Sequence, residues 1–211
     1  MGLVQALVFD LFLSIIFFLQ HSILIRKKIR ERLSKKIPDV YYGAFYAMTF
    51  GGALLLVILF WQRTVIIETA KGMLYWLLRA LFILSIAGFY WGVKALGTFA
   101  PFGIIKIKLT IRNTEPKSVP LAIKGPCRWV RHPLYLFSMI MIWSCPDLTF
   151  DKLLLNIICS LWIIIATMLE ERDLVSEFGN GYREYQKKVP MLVPYKIPYG
   201  NYDNLKAINS R

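Results

Sequence analysis

Apolar residues run almost unbroken through residues 3–25, 42–61 and 74–96. Each run is close to the roughly 20 residues an α-helix needs to cross a hydrocarbon core, so each is predicted to be a transmembrane helix. Two shorter apolar runs follow, 133–145 and 153–169, separated by Pro146-Asp147. A tight proline-bearing turn between two such runs predicts a helical hairpin, whose first limb is short for a full crossing. The chain is expected to be an all-α integral membrane protein of about five transmembrane helices, with residues 1–211 forming one membrane domain.

The polar positions orient these helices. Seven basic residues fall in 26–43, seven in 98–133 and seven in 170–211, whereas the intervening connections hold only Arg63, Lys71 and Lys152. Lys and Arg collect in cytoplasmic loops, so the amino terminus is expected outside and residues 170–211 in the cytoplasm, as an odd number of crossings requires. Arg79 and Lys94 lie near helix ends, where long side chains reach the interface. Asp10 sits inside the first apolar run, where a carboxylate has to be paired, neutral or turned inward unless it lies at the outer interface. The segment 98–124, with Pro101, Pro116 and Pro120, is expected to form an ordered cytoplasmic cap.

Composition narrows the class. With 56% hydrophobic and 18% charged residues the chain is too apolar for an ordinary soluble domain. The net charge of +13 follows from those cytoplasmic loops and is no argument for a nucleic-acid partner. Cys127, Cys145 and Cys159 make no CxxC pair, and with only His21 and His132 available no zinc or iron spacing arises, so no metal is expected. The first run lacks a basic leader and a small-residue cleavage site and is read as a retained helix.

Candidate chemistry gathers where the fourth helix starts, in Lys124-Gly125-Pro126-Cys127-Arg128-Trp129-Val130-Arg131-His132-Pro133-Leu134-Tyr135. Proline at a first helical turn loses no hydrogen bond, and the free N–H groups there favour an anionic partner. A second cluster, Glu170-Glu171-Arg172-Asp173, follows the fifth apolar run, and the hairpin brings it to the level of His132. Carboxylates there suit a cationic group or hydroxyls, and a histidine is a natural base near neutrality. An interfacial basic turn and a solvated helix end are the plainer readings of the same residues. Further on, Glu177-Phe178-Gly179-Asn180-Gly181-Tyr182-Arg183-Glu184-Tyr185 interrupts the helical pattern with two glycines and sets two tyrosines on one face, as interfacial anchors or as part of a site. Val189-Pro190-Met191-Leu192-Val193-Pro194 ends this region and can return the chain to the membrane.

Taken together, these strings resemble the membrane methyltransferases that include isoprenylcysteine carboxyl methyltransferase and the phospholipid methyltransferases, with their GP-x-R-x-x-RHP-x-Y, paired-glutamate and FG-x-x-Y-x-x-Y patterns. Leu19-Gln20-His21-Ser22, Phe60-Trp61-Gln62, Phe102-Gly103, Leu169 to Leu174 and Val189 to Leu192 are similar to the methanethiol S-methyltransferase and NnrU-type branch. The resemblance implies a helical membrane enzyme that takes S-adenosylmethionine from the cytoplasm and methylates a small or lipophilic acceptor arriving through the bilayer. It implies that Gly125, Pro126, Arg131, His132, Pro133, Leu134 and Tyr135 line the cofactor pocket, that Glu170 and Glu171 contact its polar groups, and that Tyr182 and Tyr185 close it. Two positions depart from the pattern: Cys127 replaces a frequent aromatic residue, and Phe137 replaces a usual glycine.

Methyl transfer from a sulfonium is an in-line displacement that needs alignment, exclusion of water and, for a thiol, removal of a proton. His132 and His21 are the two candidate bases, and Arg172 is a candidate to hold a carboxylate. A small thiol such as methanethiol is the favoured acceptor, with a prenylated cysteine or a lipid next. A non-catalytic accessory protein of the NnrU type is the reading of another class.

Overall fold

The computed structural model describes residues 2–25, 37–96 and 123–198, with scattered positions between 29 and 35. Helix α1 spans Leu3–Ile25 and α2 spans Asp39–Phe60. Strand β1, Ile66–Thr69, leads to α3, Gly72–Leu96. After a 3-10 turn at Gly125–Arg128 come α4, Pro133–Trp143, strand β2, Asp147–Thr149, and α5, Phe150–Lys188. The strands pair in a two-stranded sheet, a small addition to the expected all-helical fold. Phe102-Gly103 and the expected cap over 98–124 lie outside the described residues, except for its last two positions.

Four of these helices are long and apolar enough to cross a membrane, and α4 is a shorter apolar helix. At 11 residues α4 rises about 16 Å, roughly half of a hydrocarbon core. The outward faces explain why lipid is the solvent: Val8, Phe12 and Ile16 on α1, and Leu55, Ile58 and Leu59 on α2, are exposed. The chain is an integral membrane protein.

Contacts divide the described chain into two compact units. The first holds residues up to 67 together with 149–155, and the second holds 68–96, 123–148 and 156–198. In the first unit Asp10 is fully buried and its Oδ1 accepts the Gln62 backbone N–H at 3.0 Å. The carboxylate in the first apolar run is thus paired with the connection that follows α2. Asp151 holds that same connection, accepting from Trp61 Nε1 at 3.1 Å, the Thr64 N–H at 3.0 Å and the Thr64 hydroxyl at 2.6 Å. Burial alone would raise the Asp151 carboxyl, but these hydrogen bonds, with one from Thr149, bring it down to about 2.

The sharpest departure from the sequence expectation is α5. The predicted helix over 153–169 continues through the charged cluster to Gly179, and after a kink there a further helical segment reaches Lys188, 39 residues in all. Glutamate and arginine are good helix formers, so the end of apolar character does not end the helix. Only Gly179, at φ 58° and ψ −132°, departs from helical geometry, and it kinks α5 where the sequence carries its two glycines.

Candidate functional site

The candidate site is a corner of the second unit built from the start of α4, the continuation of α5 and the segment that follows it. His132 precedes Pro133, the first residue of α4, and its backbone N–H donates to the Met191 carbonyl at 3.1 Å. The Arg131 N–H donates to the Pro190 carbonyl at 2.9 Å. Val189, Pro190 and Leu192 are buried, and this stretch clasps the Arg131–His132 backbone.

At the centre lies Glu171, whose side chain is 10% exposed. Arg131 grips it with two parallel bonds, Nε to Oε1 and Nη2 to Oε2, both 2.8 Å. Oε1 also meets His132 Nε2 at 2.7 Å and accepts from the Tyr182 hydroxyl at 2.7 Å, while Oε2 accepts from Gln186 Nε2 at 2.6 Å. Arg131 Nη1 reaches the Gln186 carbonyl at 3.0 Å and the Val189 carbonyl as well. Such a bidentate, fully hydrogen-bonded pair is the arrangement in which a buried ion pair is tolerated.

This geometry fixes proton positions. Burial would raise the Glu171 carboxyl, but hydrogen bonds from His132, Arg131, Tyr182 and Gln186 hold it well below the usual carboxylate range. An ionised carboxylate only accepts, so His132 Nε2 carries a proton in its bond to Glu171. Its Nδ1 faces Glu170 Oε2 at 3.6 Å, and Glu170 is 45% exposed. Burial, then the hydrogen bond to Glu171 and its charge, push the Tyr182 phenol up, which keeps it a donor.

The remaining predicted residues divide by environment. Tyr135 stacks on His132, ring centroids 5.8 Å apart and 23° from parallel. Tyr185 donates to the Cys127 carbonyl at 2.5 Å and packs with Ile123, Tyr182 and Val189 in a buried cluster. Both tyrosines therefore build the floor of the corner. Burial pushes the Cys127 thiol up to about 11, so it stays protonated and unreactive. Pro126 and Pro133 are buried, and Gly125 takes φ 53° at a place where a Cβ would fall 3.0 Å from Ala95 Cβ and 3.1 Å from Trp91 Nε1 of α3. Leu134 seats against Gly92 of α3. Arg172 is exposed and, among the described residues, makes none of the corner's hydrogen bonds. His21 belongs to the first unit, where Nδ1 meets the Tyr46 hydroxyl at 2.8 Å and the ring packs on Phe17 and Phe50. No group of three or more metal-ligating side chains occurs among the described residues.

Sequence reasoning missed Gln186, which serves both members of the central ion pair. Its signal was its spacing, four residues after Tyr182 and so on the same helical face.

Comparison with known proteins places this corner in context. The chain is 32% identical over 205 residues to a methanethiol S-methyltransferase of Crocosphaera subtropica, covering 92% of this chain and 77% of that one. The chain belongs to the methanethiol S-methyltransferase family. A second member, from a Pseudomonas species, is 35% identical over 199 residues, covering 90% of this chain and 74% of that one. More distantly, bovine nurim is 26% identical over 178 residues, covering 80% and 68%. No family model matches the chain, and no solved structure matches it. Membership in this family makes the chain a membrane methyltransferase, an enzyme that needs a methyl donor.

Proposed function

We propose that the chain uses S-adenosylmethionine to methylate a small thiol, methanethiol in the first instance, at the cytoplasmic edge of the membrane. The observation that carries this reading is that a chain of the methanethiol S-methyltransferase family joins its RHP string, its paired glutamates and its tyrosine pair in one hydrogen-bonded corner.

The residues suit the donor. S-adenosylmethionine presents cationic, carboxylate and hydroxyl groups, and when bound it supplies an electrophilic methyl group on a sulfonium. Glu170, half exposed beside His132, is the carboxylate available to a cation or to hydroxyls, since the lone pairs of Glu171 are taken by protein donors. The exposed Arg172 suits a carboxylate. Arg131 and Glu171 lock His132, so its Nδ1 is the one ring atom able to accept a proton from a thiol. His21, held by Tyr46, is the other candidate base.

The basic residues in 26–43, 98–133 and 170–211 support an outside amino terminus and a cytoplasmic corner, the compartment that holds the donor. The test is calorimetric titration of detergent-purified protein with S-adenosylhomocysteine, with NADPH as control. Saturable binding of the first alone is expected, weakened at least 10-fold by His132→Ala or Glu170→Ala and unchanged by Lys71→Ala. Equal affinity in all three variants overturns the assignment of the corner as the donor site.

A further inference from the structure

Phe137, the residue that departs from the usual glycine of the RHP helix, lies one turn into α4 from Pro133. Its ring is pressed against Gly88 of α3, which is buried. A Cβ built on Gly88 would fall 2.3 Å from Phe137 Cε1 and 2.5 Å from both Cδ1 and Cζ. Carbon atoms do not approach to that distance, and a rigid ring cannot yield as a flexible chain end can, so the two helices are spaced by the absence of a methyl group. One turn along α3, a Cβ on Gly92 would fall 2.8 Å from Leu134 Cδ2. At the start of the segment, a Cβ on Gly125 would fall 3.0 Å from Ala95 Cβ and 3.1 Å from Trp91 Nε1 of the same helix.

The segment from Gly125 to Phe137 is therefore set against α3 at both its ends. Between those ends stand Arg131 and His132, whose bonds to Glu171 are 2.7–2.8 Å long and lose strength steeply with small displacements. The backbone of the same two residues is clasped by the Pro190 and Met191 carbonyls. A shift of α4 away from α3 has to be taken up at the Arg131–His132–Glu171 contacts.

We infer that Gly88 is a positioning residue of the donor site, and that the Phe137 ring seated on it sets the depth at which Arg131 and His132 meet Glu171. Phe137 on this account acts as a spacer between α3 and α4, and Gly88 is the vacancy that accommodates it. The inference rests on the proposed donor-binding role of the corner.

The experiment compares wild type, Gly88→Ala, Phe137→Ala and the double variant Gly88→Ala/Phe137→Ala, each purified in detergent and titrated with S-adenosylhomocysteine. Gly51→Ala serves as control, because a Cβ there meets nothing within 4 Å. Gly88→Ala is expected to raise Kd at least 10-fold while the number of sites per folded chain stays at the wild-type value. The double variant is expected to return Kd to within about threefold of Phe137→Ala alone, because the added methyl then has room. A merely structural role would instead lower the number of competent sites at unchanged Kd. Wild-type Kd in Gly88→Ala, or a double variant no better than that single one, overturns the inference. Wild-type protein that binds no S-adenosylhomocysteine overturns the donor reading and this inference with it, whereas tight wild-type binding with a tight Gly88→Ala overturns this inference alone.

Discussion

Glu171 shows how a single carboxylate can organise a site without being available to a ligand. Its two oxygens take donors from Arg131, His132, Tyr182 and Gln186, so removing it leaves a nearly buried guanidinium without its countercharge and three further donors unanswered. Glu171→Ala is expected to destabilise the protein by about 3–5 kcal/mol, read from denaturant melts in detergent. Gln186→Leu, which removes one donor from an otherwise intact pair, is expected to cost about 1–3 kcal/mol. The low position of the Glu171 carboxyl also fixes a pH dependence. A group whose folded value is depressed contributes stability in full above its ordinary value, about 4.3, and loses it as pH falls from there toward the folded value. Melts between pH 7 and 3 are expected to show this acid-side loss, reduced in Glu171→Gln. The sequence made Arg131, His132, Glu171 and Tyr182 visible because each stands in a recognisable string. It did not reveal which glutamate is enclosed, since Glu170 and Glu171 are adjacent and only the direction each takes from α5 separates them. Gln186 went unseen because a neutral side chain in a polar helix end draws notice only through its spacing from Tyr182.

Among the elements, α1, α2 and α3 were legible almost to their ends, because lipid demands a run of apolar residues that few other structures need. The last helix was not. Hydropathy reports where lipid stops, not where hydrogen bonding stops, and α5 carries its charged turns onward to the kink at Gly179 and beyond it to Lys188. Gly179 lets that extension bend: a φ of 58° with ψ near −132° is a conformation side chains resist, although no atom crowds the position. Gly179→Ala is therefore expected to cost about 1–3 kcal/mol through backbone strain alone. It should also weaken S-adenosylhomocysteine binding more than Asn180→Ala, because Tyr182, Tyr185 and Gln186 all follow the bend. Equal affinity in the two variants would separate the kink from the site. The two short strands escaped detection for another reason: three or four residues between helices are too few to show alternation.

For the whole molecule, charge distribution is the guide to orientation. A net charge of +13 carried in three basic stretches predicts that a label at the amino terminus is reached from outside intact cells and one at residue 196 only after permeabilisation. The opposite pattern would put the Arg131–Glu171 corner on the side without the donor. The central claim is methyl transfer to a small thiol, and its most direct measurement is incubation of the purified protein in lipid nanodiscs with S-adenosylmethionine and methanethiol, followed by gas chromatography of the headspace. Dimethyl sulfide formed with saturation in both substrates, and lost in His132→Ala, is the predicted result. Absence of dimethyl sulfide from folded protein that binds S-adenosylhomocysteine would contradict the choice of acceptor.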